Sequence, residues 1–168
     1  MLDARRMLAT LALSVQAAPP QPLPAAPPPP FSVQRFFSGH TRGDGVLGMI
    51  LSRRRHIVVH GVGHIDPDGA LVLDQAIDED GAPRRRRQWR LREIAAGRYV
   101  GTLTDAVGSV AGDTVGARLH LRFHMKYGLA AEQWLSANAD GRSVHNVLTL
   151  RKLGLIVASL DETITKLD

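Results

Sequence analysis

Gln75, Arg87 and Trp89 fall on one apolar face of two neighbouring strand-like segments. A guanidinium held among apolar neighbours takes a carboxylate through paired, charge-assisted hydrogen bonds. These three residues therefore predict an anion-binding position, with a purely structural buried polar network as the other reading. The run Arg84-Arg85-Arg86-Arg87, with Arg90 and Arg92, resembles a nucleic-acid stripe. No aromatic side chains alternate with it to stack bases, and Asp74, Asp78, Glu79 and Asp80 occupy the preceding segment. The expectation is a solvated, salt-bridged face with pairs such as Asp78 with Arg86, and no nucleic-acid partner. Arg53, Arg54 and Arg55 begin a segment at the same end as Arg84 and Arg85, and that rim predicts contact with an anionic membrane surface.

Other constellations predict less. His56, His60 and His64 are spaced by four, as are His120 and His124. Along a strand that spacing separates side chains by ~13 Å, far beyond what a zinc ion with ~2 Å bonds can bridge. No metal and no cofactor are expected. Gly39-His40-Thr41-Arg42-Gly43-Asp44-Gly45 precedes a strand rather than a helix, so it is no phosphate loop. Its glycines predict close backbone approach instead. Ser109, Ser136 and Ser143 lack a nucleophile elbow, and no catalytic residue is assigned. Glu132 and Glu162 are the carboxylates that an enzymatic reading would have to use.

These side chains need elements to hold them. From residue 38 to 166, alternating apolar and polar runs follow one another between Gly, Asp and Pro turns. That rhythm predicts an all-β, up-and-down antiparallel β-barrel, lipocalin-like, of about 9–10 strands. Strands are expected at 38–49, 53–65, 70–80, 84–94, 98–105, 108–115, 117–127, 129–137, 142–151 and 156–166. Three-residue turns at Pro67-Asp68-Gly69 and Gly81-Ala82-Pro83 set the register. Ile57, Val59, Gly61, Gly63, Ile65, Leu71, Leu73, Gln75, Ile77, Arg87, Trp89 and Leu91 then share the interior. Leu119, Leu121, Phe123, Met125, Val144, Asn146, Leu148, Leu150, Leu160, Glu162 and Ile164 join them. Phe31 to Phe37 is an apolar lead-in suited to plugging one barrel end.

The chain has 168 residues, a net charge of +5 and no cysteine, which excludes disulfides and thiol chemistry. Arg5 and Arg6, the apolar stretch Met7 to Val15 and the small-residue site ending at Ala17 read as a signal peptide over residues 1–17. The apolar stretch is about nine residues, short of the ~20 that span a bilayer. Residues 18–30 hold most of the ten prolines and predict an extended spacer before a barrel domain at 31–168. The expected location is periplasmic or secreted.

A further pattern runs through the barrel segment: Phe37-x-Gly39-x-Thr41-x-Gly43-x-Gly45, then Leu73, Asp80-Gly81 and Arg87-x-Trp89. It continues with Tyr99-x-Gly101-x-x-x-Asp105-x-x-Gly108, Ala111-Gly112, Gly116-Ala117, Trp134, Asn146 and Lys152-x-x-Gly154. In this order and spacing the chain resembles the domain-of-unknown-function 3833 family of bacterial envelope proteins. The resemblance implies a lipocalin-like barrel, an envelope setting and a loose link to membrane-lipid metabolism. Met49-Ile50, Gln75 and Ile77 depart from the family pattern, which carries an Asp-Arg pair, an acidic residue and an aromatic there. With Gln75 in place of an acid, Arg87 is freer to meet an anion.

Taken together, the residues predict a non-enzymatic barrel that binds a hydrophobic, anionic small molecule such as a fatty acid or lipid. Arg87, Trp89, Gln75, Tyr99, Trp134 and Asn146 are expected to line or close its cavity. A lipid-directed enzyme and a solid-cored barrel with a basic, lipid-touching rim are the alternatives.

Overall fold

The alternation that marks the sequence is the alternation that closes the barrel. The computed structural model of the protein describes residues 31–168. The expected signal peptide (1–17) and Pro-rich spacer (18–30) lie outside the described residues. A short helix, α1 (Val33–Phe37), precedes ten strands: β1 (Gly39–Met49), β2 (Arg55–Ile65), β3 (Leu71–Glu79), β4 (Arg85–Ala95), β5 (Arg98–Leu103), β6 (Ala106–Val115), β7 (Arg118–Met125), β8 (Leu129–Ala137), β9 (Ser143–Lys152) and β10 (Leu155–Lys166). All ten expected strands form, each end within two residues of its expected place. They pair antiparallel with their sequence neighbours, and β1 closes on β10. Closure leaves no free edge strand among the described residues.

Turn chemistry sets the register. Asp66 N–H donates to Ala70 O at 2.9 Å and Gly69 N–H to Asp66 O at 2.8 Å, while Asp68 Oδ1 accepts from Ala70 N–H at 3.1 Å. Ile65 therefore faces Leu71, as the sequence predicts, though Ile65 itself is exposed at the barrel lip. Across β3 and β4 the ladder ends at Ile77 opposite Arg85, so Ala76 rather than Asp78 faces Arg86. This corrects the expected Asp78–Arg86 pair. Pro83 has no amide hydrogen with which to extend the ladder, and the register is shifted by two residues. The shift is even in length, so every side chain keeps its face.

Asp78 instead takes both Arg84 Nε and Nη2 at 2.7 Å. Arg55 and Arg85 bracket Glu79 at 2.8 and 3.3 Å, and Arg90 bonds Asp66 and Asp68. Arg84 and Arg90 are thus paired on the outer face, while Arg85, on the inward parity of Arg87, closes with Arg55 on Glu79 at the far mouth. Exposed pairs of this kind contribute roughly 0–1 kcal/mol each.

The four hairpins β2–β3, β4–β5, β6–β7 and β8–β9, with the N-terminal approach to β1, define one end of the barrel. The tips of β1–β2, β3–β4, β5–β6, β7–β8 and β9–β10 define the far end. α1 lies at the first end, packed against β2 and β3. Ser32 Oγ caps it by accepting from Arg35 N–H, and Lys166 Nζ donates to the Phe36 and Ser38 carbonyls at its C-terminus. Phe36 and Phe37 meet edge to face at 4.9 Å. A side chain at Gly63 would overlap the Phe37 carbonyl, so the missing Cβ is what lets α1 sit this deep. The apolar lead-in does plug this end, as a helix turn rather than extended chain.

One seam is thin. β5 and β6 pair only through Arg98–Gly101 against Val110–Asp113, and the β6–β7 register breaks between Val107 and Ala111. Gly108, at φ 80°, takes up that irregularity.

Core burial dominates this fold. Leu119→Ala is expected to lower stability by about 2–5 kcal/mol in urea unfolding, and Arg84→Ala by less than about 1 kcal/mol. The reverse ranking would mean that surface ion pairs carry the barrel.

Candidate functional site

Midway along the barrel axis the inward residues change from apolar to polar. Leu71, Leu73, Leu91, Leu119, Leu135, Val144 and Ile164 form a large cluster toward α1. Ile57, Val59, Ile77 and Leu160 form a smaller one toward the far end, with Leu47 and Leu148 against it. Between the two clusters a polar belt crosses the lumen. On one wall Gln75 faces Arg87, and on the other Asn146 lies between Leu135 and Glu162.

The belt is bonded in two arcs. Gln75 Oε1 accepts from Arg87 Nε at 2.7 Å and from Trp89 Nε1 at 2.9 Å. The Arg87 guanidinium also lies 5.6 Å from the Trp89 ring centre, and Trp89 meets Phe123 edge to face at 5.4 Å. In the second arc Gln133 Nε2 donates to Asn146 Oδ1 at 2.9 Å, and Asn146 Nδ2 to Glu162 Oε2 at 2.8 Å. Glu162 Oε1 is buried and has no hydrogen-bond partner among the described residues. A side chain at Gly43 would overlap that same oxygen, so the glycine in β1 makes the space into which the carboxyl projects.

Electrostatics follow from burial. Desolvation pushes the Glu162 carboxyl above the usual carboxylate range, against the Asn146 hydrogen bond and the Arg87 charge, which pull it down. Burial likewise pulls Arg87 below its ordinary value, while Glu162 and Asp105 favour its charge. Each group is poorly solvated, and each partly supports the other.

Between the arcs is a cavity of about 30 Å³, lined by Gln75, Arg87, Trp89, Gln133, Asn146 and Glu162 with apolar residues toward α1. That holds one or two water molecules; ligand sites usually span ~300–1,000 Å³. The lumen is close-packed rather than hollow. A larger concavity, about 600 Å³, lies at the α1 end and is lined by Phe31, Arg35, Phe36, Ala137, Ser143 and Lys166. α1 stands between the two, with Phe37 on the lumen side and Phe31 and Phe36 on the groove side.

Four of the six expected site residues, Gln75, Arg87, Trp89 and Asn146, meet in the belt. Tyr99 is buried in the α1-end cluster but does not line the cavity. Burial and the nearby Glu93 push its hydroxyl up, opposed by a hydrogen bond at the Val33 backbone. Trp134 is a correction: it lies on the outer face, stacked on His120 at 3.9 Å and 4.2 Å from the Arg118 guanidinium carbon. The reason is parity. Met125 faces Leu129 across a three-residue turn, which sends Leu129, Ala131, Gln133 and Leu135 inward and Glu132 and Trp134 outward. Glu132 there bonds Arg151 and His120. Gln133 was missed by the sequence reading, and counting by twos from Met125 through the turn would have found it. Among the described residues no group of three or more His, Asp or Glu could hold a metal ion.

A closed, ten-stranded, lipocalin-like barrel with a charged belt across a packed lumen is the class these features define. The chain belongs to the DUF3833 family, described as proteins of unknown function, whose model matches residues 14–166. No curated protein matches the chain in sequence. Among solved structures, the S-type phycobiliprotein lyase CPES from Guillardia theta is similar, with a TM-score of 0.65. The likeness covers 82% of this chain and 94% of that one at 9% identity, which shows a shared fold.

The belt makes two measurable demands. Below the ordinary carboxylate value, Glu162 is protonated both folded and unfolded. As pH rises past it, the unfolded chain releases the proton and the folded one holds it, so stability falls. Glu162→Gln is expected to remove that decline, its advantage over wild type growing as pH rises above about 4 in urea-unfolding series. Replacing both charges with apolar groups (Arg87→Met with Glu162→Leu) is expected to leave stability unchanged or raise it by about 1–4 kcal/mol. A large loss in the double variant would show that the belt holds the fold together.

Proposed function

We propose that the protein is a non-enzymatic binding barrel of the cell envelope that takes a hydrophobic, anionic small molecule, a fatty acid or related lipid. Its acidic group would meet Arg87 beside Gln75 and Trp89. One observation carries this reading: a mostly apolar lumen contains ionisable groups whose hydrogen-bonding capacity is not used up. Of the Arg87 nitrogens only Nε bonds another described side chain, and Glu162 Oε1 bonds none. A barrel that needed only a solid core would be served better by leucine at both positions.

The closed lumen cannot hold an acyl chain, so binding requires α1 to move. Phe37 is the one cavity-lining residue that is not on a strand. Displacing α1 would join the small cavity to the larger groove, and the combined space falls in the range usual for ligand sites. Burial raises the Glu162 carboxyl and so favours its neutral form, which lessens its repulsion of a second acid beside it.

Glu162 also favours a second reading. It is the inward carboxyl near Arg87 that an enzyme acting on a lipid-like substrate would use to carry a proton, and the structural likeness is to a lyase.

Trp89 fluorescence during oleate titration tests the proposal. Wild type is expected to bind, Phe37→Ala to bind several-fold more tightly, and Arg87→Met to lose at least about tenfold, the equivalent of one charge-assisted bond. If neither wild type nor Phe37→Ala responds, and neither retains lipid in native mass spectrometry, the belt is a hydrated structural network and the barrel a solid scaffold. Recovery of chemically altered lipid that depends on Glu162 would establish the enzymatic reading instead.

A further inference from the structure

Three described residues other than glycine have positive φ: Leu51 at 59°, Tyr127 at 65° and Leu153 at 50°. All three are large and apolar or aromatic, and each sits at the tip of a far-end hairpin. They are also among the most exposed large side chains of the protein, at 103%, 84% and 94% of full accessibility. In that backbone region the Cβ of an L-residue crowds the carbonyl oxygen, and Gly, Asn or Asp is the usual occupant. Leu153-Gly154 is a two-residue loop with both φ values positive, the geometry that Asn-Gly fills best. The turns at the α1 end meet the same demand with Gly69, Gly97, Gly116 and Gly141. Folding explains neither the conformation nor the exposure of Leu51, Tyr127 and Leu153.

Their placement is not scattered. β1 pairs with β10 and β9 with β8, so the hairpins β1–β2, β9–β10 and β7–β8 are consecutive around the rim. Ile50 N–H donates to Val157 O at 3.0 Å, tying the first tip to the second. Ile50, Leu155 and Ile156 extend the exposed apolar surface between them. Arg53, Arg54, Lys126 and Lys152 flank the same tips and make no ion pair among the described residues. The other two far-end hairpins differ: their turns carry Asp80-Gly81-Ala82-Pro83 and Thr104-Asp105, and the nearby Arg55, Arg84 and Arg85 are already bonded to Asp78 and Glu79.

From this we infer that the β1–β2, β9–β10 and β7–β8 tips form a docking surface for an anionic lipid bilayer, with Leu51, Tyr127 and Leu153 entering the interfacial layer. Isolated apolar side chains on separate tips suit a fluid layer that closes around each one. The uncommitted Arg and Lys side chains beside them meet the headgroup charge, and a tyrosine ring sits well at the headgroup level. The basic rim expected from sequence is therefore relocated: Arg53 and Arg54 belong to it, Arg84 and Arg85 do not. The barrel docks tilted, three hairpins down and two up.

The test is co-sedimentation of the full chain with vesicles of phosphatidylcholine and phosphatidylglycerol in a roughly 3:1 ratio, at low and high salt. Wild type is expected to pellet with these vesicles, less so with pure phosphatidylcholine and less so as salt rises. The variant Leu51→Asn, Tyr127→Asn, Leu153→Asn is expected to lose at least about tenfold in partitioning. Its thermal midpoint should equal or exceed that of wild type, because Asn tolerates positive φ. The variant Arg53→Gln, Arg54→Gln, Lys126→Gln, Lys152→Gln should bind both vesicle types alike. Wild type that stays in solution with anionic vesicles, or a triple Asn variant that pellets as well as wild type, overturns the inference. So does a concentration-dependent dimer abolished by the triple substitution, which would make a second copy of the chain the occupant.

Discussion

Closure of β1 onto β10 is the constraint from which the other features follow. Once the sheet is a cylinder, every strand must place alternate side chains inside, and no residue can change face without a bulge. Ten strands then compete for a lumen of fixed width. Wherever a bulky group points in, something opposite must be small. Gly43 opposite the Glu162 carboxyl and Gly63 beneath the Phe37 carbonyl are the two clearest cases. The glycine-rich opening of β1 is thus a matter of volume, and the belt and the α1 plug exist because those side chains are missing.

The belt sits across the middle of the lumen, between the two apolar clusters. Placing Arg87 and Glu162 between two apolar clusters costs solvation that their mutual attraction offsets only in part, as the opposed influences on both groups show. Amide side chains share the remaining load: Gln75 serves two donors, and Asn146 links Gln133 to Glu162. One carboxyl oxygen is left over. A packed lumen with leftover polar capacity is an unfinished core in the energetic sense, and that incompleteness is the physical basis for reading function into it.

Much of this was legible in the chain. Strand positions and the inward set on β2, β3, β4, β7, β9 and β10 follow from period-2 alternation between turn residues, since those strands place most of their apolar groups on one parity. β8 resisted because both parities look acceptable: Trp134 favours one and Leu135 the other. The tie is broken only by counting through the Lys126-Tyr127-Gly128 turn, whose 3₁₀ geometry is not evident in composition. The β3–β4 turn width escaped for a similar reason, because loop length depends on where the ladder stops. Lumen volume was not legible at all. It depends on how far α1 penetrates, and that rests on one absent methyl at Gly63 rather than on any hydrophobic pattern.

A cylinder of hydrogen-bonded staves is only as tight as its shortest joint. Here that joint is the one between β5 and β6, four ladder positions long and bordered by the break in the β6–β7 register at Gly108. Local separation there exposes the fewest amides and asks the least free energy of any opening along the wall. Solvent exchange with the interior is therefore expected to run through this seam, on the flank where Asp105 and Arg87 sense each other's charge.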